Sequence, residues 1–78
     1  MGLGTVSVVR KIRVKLDEVL QSRGITQTEL MKMSGVRQAS ISELTNNMRT
    51  GINREHLAKI ADALEIDDIS ELITIEKE

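Results

Sequence analysis

Hydrophobic and polar positions change their spacing several times along this 78-residue chain, and each change marks an element. In Lys11-Ile12-Arg13-Val14-Lys15-Leu16 basic and apolar residues alternate strictly. A period of two with β-branched residues predicts a short strand. The competing reading, one long helix from Val8, leaves that alternation unexplained. Leu16, Val19 and Leu20 then fall three and four apart, which predicts a helix over 16–22 ended by Gly24. Thr26-Gln27-Thr28-Glu29 has the form of a capping box, with the Thr26 hydroxyl accepting from the Glu29 N–H and the Glu29 carboxylate reaching back to Thr26. It opens a second helix over 27–33, with Leu30 and Met33 on one face and Met31 and Met33 assigned to the core. A third helix covers 37–46, with Ile41 and Leu44 on its inner face.

Residues 47–52 hold Asn47, Thr50 and Gly51 and read as a loop. Asn53 can cap a fourth helix. There Leu57, Ile60, Ala61 and Leu64 fall at i, i+3, i+4 and i+7, the clearest apolar stripe in the chain. Asp68 can cap a final turn over 69–72, and Ile73-Thr74-Ile75 alternates again. Two alternating segments at opposite ends invite pairing. An isolated two-stranded ribbon is marginal, so it either packs on the helices or pairs between subunits. Residues 1–9 are expected to form a flexible N-terminus and 10–78 a single domain.

Gly35 sits between the second and third helices, where a residue without Cβ lets the chain reverse. Two short amphipathic helices around such a turn make a helix-turn-helix, which presents its second helix to the DNA major groove. The expectation is a protein that binds DNA and performs no chemistry.

Composition narrows this further. A chain so short buries only about 60–65% of its unfolded surface, giving one modest core. Cysteine is absent and His56 is the single histidine, which excludes disulfides, thiolate metal sites and multi-histidine zinc. Ser34, Ser40 or Ser42 with His56 offers no triad with a pocket behind it, so no catalytic, cofactor or metal residues are expected, and His56 is assigned to the surface or to capping. No apolar run is long enough to span a membrane, and no leader is evident, which favours a cytoplasmic location. Phe, Tyr and Trp are all absent. Single-stranded nucleic acid is bound largely by stacking on aromatic rings, so the expected partner is duplex DNA.

The net charge of −1 first argues against DNA, but it divides unevenly. Residues 1–60 carry ten Lys/Arg and five Asp/Glu, a charge of +5, and residues 61–78 carry one Lys and seven Asp/Glu, a charge of −6. Local field governs phosphate contact more than the total does. The acidic segment 67–78 reads as solvated surface or as a dimer contact through Ile69, Leu72, Ile73 and Ile75.

The set Gln27-x-x-Leu30, Gly35-Val36, Ser40-Ile41-Ser42-x-Leu44, Leu57-x-x-Ile60-Ala61-x-Ala63-Leu64-x-Ile66 and Leu72 resembles the Cro/C1-type (XRE family) helix-turn-helix domain, over roughly 16–73. The resemblance implies an all-α, five-helix, lambda-repressor-like fold. In one subgroup a first strand meets a C-terminal strand. It further implies a sequence-specific regulator of transcription, commonly a repressor at this size, that binds double-stranded DNA as a homodimer without cofactor or small-molecule ligand. An antitoxin that also neutralises a toxin is a variant. By the same resemblance, base contacts fall on Arg37, Gln38, Ala39, Ser42 and Glu43. Phosphate contacts fall on Thr26, Gln27, Thr28, Asn46, Asn47, Arg49, Thr50 and Arg54. Arg10, Lys11, Arg13 and Lys15 either add attraction for DNA or form the solvated face of an edge strand. Two departures stand out. Met31 replaces the family's alanine between helices two and three, and Thr45-Asn46-Asn47 stands where the family often has glycine. An alternative from another class is a protein-binding adaptor that keeps the fold with little affinity for DNA, favoured by the near-neutral charge and by Glu43.

Overall fold

The computed structural model describes residues 8–48 and 50–77. Most of the expected flexible N-terminus therefore lies outside the described residues, as does Arg49. Seven elements follow in order: strand β1 (Arg10–Val14), helices α1 (Leu16–Arg23), α2 (Gln27–Ser34), α3 (Gln38–Thr45) and α4 (Arg54–Leu64), a 3₁₀ turn (Ile69–Glu71) and strand β2 (Ile73–Lys77). The five-helix, all-α expectation is corrected to four α-helices with a two-stranded sheet. Asp68 does cap the last turn, its Oδ1 accepting from the Ser70 N–H at 2.9 Å. That turn stops after three residues because Leu72 is drawn into the core and the β-branched run Ile73-Thr74-Ile75 enters the ribbon.

Local chemistry sets the helix ends. Thr26 and Glu29 form the reciprocal capping box, with Thr26 N–H donating to Glu29 Oε1 at 2.9 Å and Glu29 N–H to Thr26 Oγ1 at 3.1 Å. Asn53 Oδ1 accepts from the N–H groups of Glu55 and His56, which starts α4. The turn between α2 and α3 requires a left-handed residue, and Gly35 supplies it at φ 78°. Arg23 closes the far end of α4 by donating to the Leu64 carbonyl at 2.6 Å.

Eleven buried apolar residues form the core, with Leu16, Leu30, Ile41, Ile60 and Leu72 wholly enclosed. The stripe Leu57, Ile60 and Leu64 turns inward as its spacing dictates, with Ala61 at its margin. On α2 one expectation fails: Met33 is half exposed. The chain turns at Gly35 just beyond it, and Val36 enters the core instead. Met31, the bulky replacement for alanine, is half-buried against the core, where its flexible side chain fills the margin of α2.

The terminal strands pair within the chain, antiparallel, with Val14 opposite Ile73, Ile12 opposite Ile75 and Arg10 opposite Lys77. Lys15 N–H donates to the Leu72 carbonyl at 2.7 Å and continues the ladder toward the helices. Inward-bonding residues alternate along an antiparallel ladder. Arg13 and Thr74 therefore bond across the ribbon, while Val14 and Ile75 direct their backbone groups to its outer edges. At the edge of β1, Asn47 takes both groups of Val14. Its Oδ1 accepts from Val14 N–H at 2.8 Å and its Nδ2 donates to Val14 carbonyl at 3.1 Å. Arg13 holds the opposite face through Asp17 (3.5 Å), Glu76 (3.8 Å) and Glu18.

Asn47 carries a positive φ of 52° and two hydrogen bonds, so Asn47→Ala should lower stability by about 2 kcal/mol. Asn47→Gly should recover the backbone part alone. Chemical denaturation of both variants separates the two contributions. A pH effect follows from the capping box. Hydrogen bonds from the Thr26 N–H and hydroxyl hold the Glu29 carboxyl below the usual glutamate range. A lowered folded pKa gives stability that is complete above the unfolded value of about 4.3 and fades as pH falls through the folded one. Thermal melts should therefore show wild type losing stability below about pH 4 faster than Glu29→Gln.

Candidate nucleic-acid interface

The third helix has a sharply divided surface. Ile41 and Thr45 are buried and Leu44 half-buried, whereas Arg37, Gln38 and Ala39 at its N-terminal end are exposed. Gln38 and Ser42 lie one turn apart on one face. Arg37 sits at the N-cap position with extended backbone and makes no side-chain cap. Among the described residues no hydrogen bond or ion pair engages the side chain of Arg37 or Gln38. This end of α3 presents an amide and a guanidinium to solvent on a helix that its inner face holds rigidly.

The C-terminal end of α3 differs, because its polar groups are turned inward. Gln27 Nε2 donates to Thr45 Oγ1 at 3.1 Å, and Thr45 Oγ1 donates to the Ser42 carbonyl at 3.0 Å. Thr45 is the buried polar residue of the core region, at 6% exposure, and this relay satisfies it. Asn46 Nδ2 bends back to the Ser42 carbonyl at 2.9 Å and to its hydroxyl at 3.3 Å. Three residues expected at phosphates thus have structural work. Gln27 fastens the start of α2 to the end of α3, Asn46 closes the last turn of α3, and the side chain of Asn47 is committed to Val14. Asn47 remains exposed at the surface, with one amide N–H and the amide oxygen engaged by Val14.

Other expected phosphate residues keep accessible surface. Thr26, Thr28, Thr50 and Arg54 are exposed. The capping box takes the Thr26 and Glu29 N–H groups, which leaves those of Gln27 and Thr28 as the forward donors of α2. Thr26 and Gln27 line one shallow recess with Thr45 and Asn46, so the start of α2 and the end of α3 form one continuous rim. Arg49 lies outside the described residues. On the other side of α3, Ser40, Glu43 and Leu44 line a groove of about 920 Å³ shared with Thr50, Asn53, His56 and the ribbon residues Lys11 and Arg13. Glu43 therefore flanks the groove toward the ribbon and not the Gln38–Ser42 row. Of the ribbon cations, Arg13 is spent on three carboxylates, and the Glu18 contact raises its pKa further.

The sequence could have flagged Thr45 as unusual, being a polar residue on the inner face of α3. It carried no signal for the Asn47–Val14 pair, whose members stand 33 residues apart. Among the described residues no group of three or more His, Cys, Asp or Glu is placed to hold a metal, and no helix is long and apolar enough to cross a membrane.

Searches of curated proteins and of solved structures return no match to this chain. A family model does match, over residues 15–78, which takes in all four helices, the 3₁₀ turn and β2. With the Gly35 turn, the exposed start of α3 and the inward stripe of α4 all in the matched region, the chain belongs to the Cro/C1-type helix-turn-helix DNA-binding domain family.

Proposed function

We propose that this protein is a sequence-specific repressor of transcription that binds double-stranded DNA as a homodimer, in the cytoplasm, with α3 in the major groove and without catalytic activity. The observation that carries this reading is the free polar end of α3: Arg37 and Gln38 stay unengaged while Gln27, Thr45, Asn46 and Asn47 are tied into the fold. Gln38 has the donor and acceptor needed to pair bidentately with adenine N6 and N7, and Ala39 the methyl to meet thymine. Arg37 suits guanine or a phosphate, and Ser42 either type of base. Glu43 accepts from cytosine N4 if the groove brings one near. The Gln27 and Thr28 N–H groups, with Thr50, Arg49 and Arg54, supply phosphate contacts on either side. Occupying the groove is enough for repression, and a two-fold dimer reads half-sites about one helical turn apart.

A second reading, a protein-binding adaptor, is favoured by the charge of −6 on residues 61–78 and by Glu43 on the recognition helix itself. Salt separates the two. Titration of random-sequence duplex DNA at low and physiological salt, followed by selection of bound sequences, should give an affinity that falls steeply with salt, and a palindromic motif. Absence of binding at low salt overturns the DNA reading in favour of the adaptor. On the selected site Gln38→Ala should cost about 1–3 kcal/mol and relax preference at one base pair. Unchanged affinity and selectivity would remove Gln38 from the contact set.

A further inference from the structure

We propose that the outer edge of β1 docks an extended, acidic segment of a different protein, which joins the ribbon as a third strand with an apolar residue against Ile12 and a carboxylate against Arg10. This docking goes beyond the DNA reading and does not depend on it. Ladder alternation turns the N–H and C=O groups of Arg10, Ile12 and Val14 outward on this edge. At Val14 the Asn47 amide already sits where a third strand would, accepting from the N–H and donating to the carbonyl. The edge thus takes an amide group from that side, and at Ile12 and Arg10 no hydrogen bond among the described residues fills the same place. The groove of about 920 Å³ beside β1 supplies the room, with Ser40 and Leu44 of α3 and Thr50 and Ile52 of the next loop in its lining. Its size is that of an ordinary ligand pocket.

The side chains along the edge choose the occupant. Arg10 stands directly opposite Lys77, in a pair of the closely spaced kind, and no ion pair engages either among the described residues. Like charges so placed destabilise a ribbon, and a carboxylate beside them relieves the repulsion. Next along the same face Ile12 and Ile75 stand opposite each other, each 58% exposed. A strand antiparallel to β1 satisfies both places when an apolar residue is followed two positions later by Asp or Glu. This chain does not supply that pattern. Residues 1–7 contain no acid. On the β2 of a second copy, Ile73 against Ile12 brings Ile75 to Arg10, and Ile75 against Ile12 brings Lys77. A second β1, paired two-fold about Ile12, sets Lys11 against Arg13 twice. The cations thus keep like strands off this edge and select an acidic one.

Nuclear magnetic resonance titration of the isotope-labelled full chain, without DNA, with the blocked peptide Thr-Val-Thr-Glu-Thr-Val-Thr tests this. The backbone amide signals of Arg10 and Ile12 should move saturably, while that of Ile75 on the other edge stays in place. The same peptide with lysine for glutamate should bind about tenfold more weakly. Methylation of the backbone nitrogen of the first valine removes the donor to Ile12 and should abolish binding at the edge. Arg10→Glu gains Lys77 as a partner across its own ribbon, so it should melt no lower than wild type and should prefer the lysine peptide. Absence of saturable shifts, equal binding of the glutamate and lysine peptides, undiminished binding of the methylated peptide, or movement of Ile75 in place of Ile12 would each overturn the proposal. An Arg10→Glu chain that keeps the wild-type peptide preference and loses affinity for duplex DNA assigns the Arg10–Lys77 pair to phosphate and overturns it as well.

Discussion

The amide of Asn47 on the backbone of Val14 joins the two halves of this molecule. It stands just past the end of α3 and completes the edge of β1 at the point where the ribbon enters the core. Without it, β1 would present an unpaired N–H and C=O at a buried position, since Val14 is only 4% exposed. Unsatisfied backbone groups away from water cost as much as the bond they lack. An amide side chain can mimic a strand because it offers one donor and one acceptor at the spacing of a peptide group. The left-handed backbone at Asn47 aims that amide at β1, and asparagine tolerates it better than most residues. One side chain therefore ties the end of α3 to the ribbon.

The same economy governs the surface of α3. Its C-terminal polar residues are consumed by the relay from Gln27 through Thr45 to Ser42 and by the return of Asn46. These bonds pin the helix against α2 and satisfy the buried Thr45 hydroxyl. A recognition helix needs this support, because base readout depends on side chains held at fixed positions relative to the groove. The start of α3 is left to solvent, and there the chain carries groups able to read base edges. Engaged and solvent-exposed polar groups are thus separated along α3 and its caps, by turn and by face.

Charge is handled locally too. The net value of −1 hides the binding of cations to neighbouring acids, most clearly Arg13 among Asp17, Glu18 and Glu76. These exposed pairs contribute little stability individually. Their larger effect is to neutralise a basic residue of the ribbon, so that its charge is balanced within the fold.

Much of this molecule was legible from residue spacing. The four helices, both caps at Thr26 and Asn53, the Gly35 turn, the stripe of α4 and the two strands all follow from periodicity and turn chemistry, because these are interactions among residues a few positions apart. The outward placing of Arg37, Gln38 and Ala39 came from the family resemblance, and the three are exposed. What the sequence could not assign was every decision made by contacts distant along the chain. Spacing placed Met33 in the core, but the packing of Val36 left it half exposed. A fifth helix gave way to one 3₁₀ turn because Leu72 and the ribbon claimed the chain. The ribbon closed within the chain, a choice that alternation alone left open. The bonds of Asn47 to Val14 had no signal in the sequence, since only the folded chain brings the end of α3 beside β1. Local periodicity determined which elements form; the competition of polar groups for partners, settled only when the elements pack, determined which side chains are tied into the fold and which stay exposed.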